Sequence, residues 1–341
     1  MSVQVASEAT ATSYDVVVIG GGASGTALLY TLATYTTISS MALIEKYDQL
    51  GQVNSNAKNN SQTLHIGDIE TNFTMEKARQ VKPAAGMIVR YAEQLSQVER
   101  EVFLTETQKM VIAVGEEEVK TLRARFLLLK EIFPELELLE RNDIERVEPE
   151  VIRSRPADEQ IVGVFNPRGH AVDFGALARS FVARAQTQTE KRIDLLLGQP
   201  LQRIIRRPEG GFELVTSKGP VYAKTVVVDT DSYSLSFAKA MGYGTEFSLI
   251  PIAGTFYFSR QVLKGKVYTM QEPKLPFAAV HGDPDVRVDG ATRWGPTARF
   301  FPVLESRNLN TFKDYIRSSG LFRLRTWKSF AIILLDPMRF F

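Results

Sequence analysis

The stretch that decides the fold lies between Tyr14 and Lys46 and has the sequence YDVVVIGGGASGTALLYTLATYTTISSMALIEK. It begins with an apolar, β-branched run that predicts a buried parallel strand. A helical pattern follows, and a second apolar run at 41–44 predicts another strand. This order predicts an α/β fold with a Rossmann-like domain at the start of the chain.

Three glycines, Gly20, Gly22 and Gly25, form a G-x-G-x-x-G motif between the first strand and the helix. Gly20 permits a tight turn, Gly22 lets a pyrophosphate approach the backbone, and Gly25 lets the helix pack against the sheet. The N-terminus of the following helix offers free N–H groups and the positive end of its dipole to phosphates, so Ala23 and Ser24 are also candidate cofactor contacts. The motif predicts a dinucleotide site.

An acidic residue, Glu45, ends the second strand 20 residues after Gly25. Its carboxylate can accept hydrogen bonds from both ribose hydroxyls of an adenosine. An acid at this position disfavours a 2′-phosphate and therefore NADP, so FAD and NAD remain. Lys46 is a further predicted cofactor contact. The alternative is a glycine turn in an ordinary βα unit that binds no nucleotide.

Length and composition set wider bounds. A chain of 341 residues suggests two domains or one composite domain, and 44% hydrophobic with 23% charged residues is typical of a globular protein. The net charge of +2 gives no general attraction to nucleic acid, so no nucleic-acid partner is expected. The absence of cysteine excludes disulfides and thiolate catalysis, and no metal site is predicted.

Several local patterns predict further elements. Residues 1–13 are expected to be a disordered leader, and no transmembrane helix is expected. A helix is predicted from Thr74, with a pause at Pro83. Residues 166–170, NPRGH, predict a turn after a strand, and Asp173 is a plausible N-cap of the next helix.

Three separated segments closely resemble the FAD-dependent malate:quinone oxidoreductases. They are NSNAKNNSQTLHIGDIETNFT at 54–74, SLSFAKAMGYG at 234–244, and VHGDPDV with TRWGPTA at 280–298. The resemblance extends from Tyr14 to about Arg325. It implies a glutathione-reductase-like, D-amino-acid-oxidase type of fold. A composite FAD domain is expected at 14–82 and 155–240. An antiparallel substrate and cap domain is expected at 83–154 and 241–341, with the flavin ring between the two.

The resemblance also implies an activity. The expected reaction is oxidation of (S)-malate to oxaloacetate, a step of the tricarboxylic acid cycle, with FAD as cofactor and a membrane quinone as electron acceptor. Such enzymes are usually peripheral on the inner face of the bacterial cytoplasmic membrane, so a cytoplasmic location at the membrane surface is expected. The basic, apolar tail at 313–341 is a candidate membrane-surface or quinone-access element, or else a solvated helix.

Oxidation of a 2-hydroxy acid needs a base for the hydroxyl proton, and histidine suits this role. Of the three histidines, His281 is the first candidate, in a Gly/Pro-rich loop. His65, in the Asn-rich loop, is the second candidate, as base or flavin contact. A structural role is the alternative for both, and it is the preferred reading of His170.

The substrate carboxylates need cations, and the guanidinium fork suits them. Arg293 is the best candidate and Arg299 the next, with a surface arginine as the alternative for each. Gln62 and Thr63 are candidate flavin or substrate contacts through their side chains, or plain loop residues.

Two features depart from the resemblance. Asp229 and Asp231 stand where the family usually has a small, Gly-containing turn beside the cofactor. Repulsion from the pyrophosphate could cost roughly one to several kcal/mol. The family's later glycine-rich turn is not found after Asn308, so the chain is expected to be shortened or altered at its end. Three alternatives therefore stay open: oxidation of another 2-hydroxy acid such as 2-hydroxyglutarate, a degenerate relative without turnover, and an NAD-dependent dehydrogenase.

Overall fold

The structure is a computed structural model that describes residues 13–271, 279–324, 326–328 and 331. The strands are β1 (Ser13–Ile19), β2 (Ser40–Ile44), β3 (Leu104–Val114), β4 (Glu137–Glu140), β5 (Ile161–Val172), β6 (Arg192–Leu196), β7 (Leu201–Arg206), β8 (Phe212–Thr216), β9 (Gly219–Val228), β10 (Ile252–Ala253), β11 (Tyr257–Arg260), β12 (Lys266–Thr269), β13 (His281–Pro284), β14 (Ala291–Gly295) and β15 (Arg299–Phe300). The helices are α1 (Ala23–Tyr35), α2 (Met75–Glu93), α3 (Gln97–Glu101), α4 (Glu116–Ile132), α5 (Arg141–Val147), α6 (Pro149–Ile152), α7 (Phe174–Ala185), α8 (Ser234–Ala240) and α9 (Phe312–Ser319).

The chain divides into two compact units. Of the described residues, unit 1 holds those up to Asn60 together with Phe174–Leu249 and Val303–Gly320. Unit 2 holds the described residues of Ser61–Asp173 and Ile250–Pro302 and those after Gly320. Along the part of the chain that the structure describes, no helix combines the length and the apolar character needed to cross a bilayer.

Unit 1 is built on a six-stranded sheet in the order β6-β2-β1-β9-β8-β7. Strands β6, β2, β1 and β9 run parallel, whereas β7 and β8 join as an antiparallel extension. The parallel strands are nearly continuous apolar runs because such a sheet is covered on both faces. On one face α1 packs beside α7, where the rings of Tyr30 and Phe181 stack 5.6 Å apart. This arrangement confirms the predicted strand, helix, strand order.

Unit 2 is built on a seven-stranded sheet in the order β11-β14-β13-β12-β3-β5-β4. All neighbours are antiparallel except β12 and β3. Side chains alternate along β3, so Val111 and Ala113 join one apolar cluster with α4 while Met110 and Ile112 join another with α5. A mainly antiparallel sheet with helices agrees with the predicted second domain.

Two local predictions are wrong. Helix α2 runs through Pro83 without a pause. The buried side chains of Ala78, Ala85 and Tyr91 lie on both sides of the proline, and their packing offsets its helix penalty of about 3 kcal/mol. Residues 166–170 do not form a turn but continue β5 beside β3, with a register shift between Thr107 and Lys109. Pro167 lies within this shift and beyond the residues 162–165 that pair with β4, so its missing N–H costs little.

The domain limits also differ in detail from the expected ones. Residues 61–82 and 155–173 belong to unit 2, and 241–249 with 303–320 belong to unit 1. The reason for the first difference is long-range pairing, since β5 lies between β3 and β4. Ser13, expected in the leader, is the first residue of β1 and lies beside Tyr222. The rest of the leader, and 325, 329–330 and 332–341 of the tail, lie outside the described residues.

Candidate active site

The glycine turn after β1 is fixed by close contacts. Gly20 has φ +119°, and a Cβ there would lie 1.9 Å from the carbonyl oxygen of Asp229. A Cβ at Gly25 would lie 2.1 Å from the carbonyl oxygen of Gly20. Only glycine fits either position, which agrees with the tight turn and the close helix packing predicted for them.

The start of α1 faces open space. A Cβ at Gly22 would meet only the hydroxyl of Ser55, at 3.2 Å. Ser55 also accepts a 2.9 Å hydrogen bond from the N–H of Ala23. The N-cap residue Gly22 has no side chain to cap the helix, and the first turn, which includes Ser24, carries no acidic residue. The positive end of this helix dipole is therefore open to an anion.

Glu45 is held in one orientation beside the glycine turn. Its Oε2 accepts a 2.6 Å hydrogen bond from the N–H of Gly21, and its Oε1 accepts one of 2.9 Å from the N–H of Tyr47. A carboxylate can accept further hydrogen bonds from ribose hydroxyls on its remaining lone pairs.

Lys46, predicted as a cofactor contact, already has a partner. Its ammonium forms an ion pair with Glu305 and lies 4.2 Å from the ring centroid of Tyr233. Glu305 also accepts hydrogen bonds from the hydroxyls of Tyr47 at 2.5 Å and Tyr233 at 3.1 Å. Burial opposes ionisation of Glu305, but these partners hold its pKa below the ordinary value. No local motif marks Glu305, so the sequence analysis missed it.

These residues line one cleft of unit 1, with a volume of about 660 Å³. This volume is in the usual range for ligand sites, about 300–1,000 Å³. Its wall contains the glycine turn, Ile44–Lys46, 51–55, 200–202, 229–233 and residues of the 303–320 segment.

Asp229 and Asp231 also line this cleft, as the sequence suggested. Burial raises the pKa of Asp229, and the charge of Asp231 adds to the effect. The amide of Asn54 donates a hydrogen bond to Asp231. The glycine turn, the uncapped helix start and the fixed Glu45 fit the adenosine diphosphate part of a dinucleotide, while the two aspartates oppose its charge. The residues present thus fit such a group, with a penalty from like charges.

A second cluster, in unit 2, contains the predicted catalytic residues. The rings of Tyr268 and His281, which are partners across β12 and β13, stack with centroids 4.3 Å apart. On the Tyr268 side, His65 lies edge-on at 6.3 Å, and the hydroxyls of Tyr268 and Thr63 are 2.8 Å apart. Phe256 lies 5.5 Å from His281. The structure thus brings both predicted histidines to one aromatic ring.

His281 is only 3% exposed. Its Nδ1 is 3.0 Å from the carbonyl oxygen of Ala279, and burial lowers its pKa to about 4. Its Nε2 and the Oδ1 of Asp283 are buried 4.0 Å apart, and neither has a hydrogen-bond partner among the described residues. The ring is therefore neutral at neutral pH.

Arg293 is buried and bound to acidic groups. It donates hydrogen bonds to Asp283 at 2.6 Å and to the carbonyl of Ser61 at 2.9 Å, and it lies 3.3 Å from a carboxylate oxygen of Asp285. Asp283 also accepts a 2.7 Å hydrogen bond from Lys266. Burial lowers the pKa of Lys266 to about 8. The predicted carboxylate clamp therefore already has two carboxylate partners. Asp283 and Lys266 were missed, although Asp283 follows His281 at the spacing of one strand face.

His65 differs from His281 in its surroundings. Its Nδ1 is 2.6 Å from Oε1 of Glu70, and 42% of its side chain is exposed, against 10% for Glu70. Glu70 was also missed, because it follows His65 by five positions in an irregular loop and no periodicity links the two residues.

The remaining predicted residues have structural contacts. Gln62 is buried with φ +52°, accepts a 2.9 Å hydrogen bond from the N–H of Val286, and belongs to unit 2 with Thr63, not to the cleft of unit 1. Burial lowers the pKa of His170. Arg299 lies on the exposed strand β15, 5.0 Å from the ring centroid of Phe301.

Solved structures with the same fold are enzymes. Glycine oxidase from Geobacillus kaustophilus matches with a TM-score of 0.65 at 18% identity, over 91% of this chain and 78% of that one. L-α-glycerophosphate oxidase from Mycoplasma pneumoniae with FAD bound matches with a TM-score of 0.62 at 17% identity, over 84% and 72%. The fold is therefore that of this class of oxidases. It confirms the predicted α/β architecture of a Rossmann-like domain with an antiparallel second domain.

The family follows from the sequence comparison. The family model for malate:quinone oxidoreductase matches residues 12–304. The chain therefore belongs to the malate:quinone oxidoreductase family, as the resemblance suggested. A probable malate:quinone oxidoreductase from Helicobacter acinonychis is 42% identical over 296 residues, which is 86% of this chain. The matched region spans 65% of the length of that relative.

Proposed function

We propose that this chain oxidises (S)-malate to oxaloacetate with FAD as cofactor and passes the electrons to a membrane quinone. Membership of the malate:quinone oxidoreductase family is the observation that carries the proposal. The cleft beside the glycine turn supports it, because its contacts suit an adenosine diphosphate group. A quinone resides in the membrane, so we also propose that the chain acts at the inner face of the cytoplasmic membrane.

The cofactor site uses the residues of the cleft. The backbone at Gly20 and Gly22 and the N–H groups of Ser24 and Gly25 hold the pyrophosphate. The N–H of Ala23 joins them by exchanging the hydroxyl of Ser55 for a phosphate oxygen. Glu45 accepts the ribose hydroxyls on lone pairs that Gly21 and Tyr47 leave open. FAD, when bound, would accept the hydride of the malate C2–H bond and pass the electrons on to the quinone.

The cluster of unit 2 provides the groups for the substrate. An imidazole, at His65 or His281, takes the proton of the malate hydroxyl. Exposure favours His65 in this role, since burial makes His281 a weak base. Arg293 is the proposed carboxylate ligand. It binds the substrate by exchanging Asp285, the more distant of its two carboxylates, for malate.

The direct test is anaerobic addition of (S)-malate to the protein reconstituted with FAD. We expect the flavin absorption band to bleach, and a soluble quinone to restore it. (R)-malate is the control for stereospecificity and should leave the band unchanged. Bleaching by 2-hydroxyglutarate but not by malate would show that 2-hydroxyglutarate is the substrate. No bleaching by either compound would refute the proposal.

A further inference from the structure

Glu70 is paired with His65 and has no role in the reaction proposed above. They lie on the irregular segment between Leu64 and α2, and Oε1 of Glu70 is 2.6 Å from Nδ1 of His65. An ionised carboxylate can only accept a hydrogen bond, so Nδ1 must carry the proton. In the neutral ring, Nε2 is then left with its lone pair.

The surroundings of Glu70 favour its ionised form. Burial opposes ionisation, but the hydrogen bond from His65 and the charge of Lys109 hold the pKa of Glu70 below its ordinary value. The guanidinium of Arg125 lies close by and donates hydrogen bonds to the backbone carbonyls of Glu70 at 2.8 Å and Phe73 at 2.6 Å. These bonds fix the segment that carries the carboxylate.

The burial of Glu70 does not favour the stability of the fold. The second oxygen of Glu70, Oε2, is buried without a hydrogen-bond partner among the described residues, and so is Nε of Arg125. A buried carboxylate with one unpaired oxygen costs stability. A buried polar atom without a hydrogen-bond partner in a folded protein requires an explanation. The orientation of the exposed imidazole by this carboxylate explains why the cost in stability is tolerated.

The other imidazole beside Tyr268 shows the contrast. His281 meets a neutral carbonyl at its Nδ1, and it is nearly inaccessible. His65 alone of the two combines a carboxylate on one nitrogen with an exposed ring. A base whose orientation is fixed by a third group is the usual arrangement for proton abstraction.

We propose that Glu70 is a positioning residue that holds His65 in the Nδ1–H tautomer, so that Nε2 accepts the hydroxyl proton of the 2-hydroxy acid substrate. This inference rests on the proposed function. As the substrate O–H bond breaks, an N–H bond forms at Nε2, and the proton later leaves to solvent. The C2 carbon is oxidised as its hydride passes to FAD.

The test reads the tautomer directly and needs no activity. The chain contains three histidines, so ¹⁵N-histidine labelling of the full chain gives three imidazoles. Their signals are assigned with His65→Gln and His170→Gln. We expect His65 to carry its proton on Nδ1 in the wild type and mainly on Nε2 in Glu70→Ala. Glu70→Gln keeps an acceptor oxygen of the same size and should retain the Nδ1–H form. Glu106→Ala, which removes a charge near His170, is the matched control and should leave His65 unchanged.

Kinetics complete the test. Glu70→Ala should lower kcat by about 10- to 100-fold with little change in KM, and His65→Gln by about 10²- to 10⁴-fold. Adding Glu70→Ala to His65→Gln should cause no further loss of kcat. The Glu70→Gln variant should keep part of the kcat that Glu70→Ala loses.

Three results would overturn the proposal. One is an Nε2–H tautomer of His65 in the wild type, and another is a tautomer that Glu70→Ala does not change. The third is a change of the His65 tautomer in Glu70→Ala without a loss of kcat. This result would refute the role of Glu70 but not the proposed oxidation of malate. A wild type that holds FAD but does not react with malate would instead refute the proposed function, and the role of His65 with it.

Discussion

The carboxylate of Glu45 accepts a 2.6 Å hydrogen bond from the backbone N–H of Gly21. The acid that ends β2 is thereby joined to the glycine turn that ends β1. The same side chain therefore holds the backbone of the turn and keeps lone pairs free for the ribose of the proposed cofactor. This link explains why a motif and an acid 20 residues apart act together.

Replacement of Glu45 by alanine should weaken FAD binding. The variant loses the hydrogen bonds to the ribose and the anchor of Gly21. Hydrogen bonds to charged groups contribute about 1.5–3 kcal/mol, so we expect the dissociation constant to rise about 10- to 100-fold. Quenching of flavin fluorescence measures it. Glu209→Ala, at an exposed ion pair of the same unit, is the control, and an equal loss in both variants would contradict the assignment.

Replacement of Asp229 by asparagine should tighten FAD binding. It removes one negative charge from the cleft that we propose as the pyrophosphate site, and we expect about fivefold higher affinity, equivalent to about 1 kcal/mol. Because the pKa of Asp229 is raised, the wild type loses this charge at a higher pH than an ordinary aspartate does. Wild-type affinity should therefore rise as the pH falls, and the variant should show less of this rise. Asp48→Asn, at an exposed position, should match the wild type. Weaker binding in Asp229→Asn would contradict the prediction.

Gly20→Ala should destabilise the protein more than Gly219→Ala. Both residues have a positive φ, +119° and +116°, so both substitutions carry a strain of about 1–2 kcal/mol. A Cβ at Gly219 would meet no atom of the described residues within 4 Å, whereas a Cβ at Gly20 would lie 1.9 Å from the carbonyl oxygen of Asp229. Overpacking should add about 1–3 kcal/mol. Urea denaturation measures both variants, and equal losses would show that the turn is not closely packed.

The stability of the wild type should fall as the pH falls from about 6.5 to about 4. The folded protein holds His281 neutral, with its pKa lowered by burial from 6.5 to about 4, whereas the unfolded chain binds the proton in this range. The difference corresponds to about 3 kcal/mol. His281→Phe keeps an aromatic ring against Tyr268 and removes the titration. Its free energy of unfolding should depend less on pH in this window, and an unchanged slope would contradict the assignment.

The sequence could predict what depends on local spacing. The glycine motif, the helix behind it and Glu45 all follow from patterns within 33 residues. The family resemblance supplied the second domain. In each case neighbouring residues carry the signal.

Contacts between distant segments could not be predicted in the same way. His65 and His281 meet the same ring of Tyr268 only because Tyr268 and His281 are partners across β12 and β13. The ion pair of Lys46 with Glu305 joins residues far apart in the chain. The strand that contains Pro167 depends on where its neighbour β4 ends. Register and long-range pairing decide these contacts, and no single window of sequence contains both partners.

The central claim is that the cleft of unit 1 holds the adenosine diphosphate half of FAD. Equilibrium titration of the purified chain with FAD, followed by competition with ADP, tests it most directly. We predict saturable binding that ADP reverses, weakened in Glu45→Ala and strengthened in Asp229→Asn. Flavin that stays fully fluorescent and free at every protein concentration, or bound flavin that ADP does not displace, would contradict it.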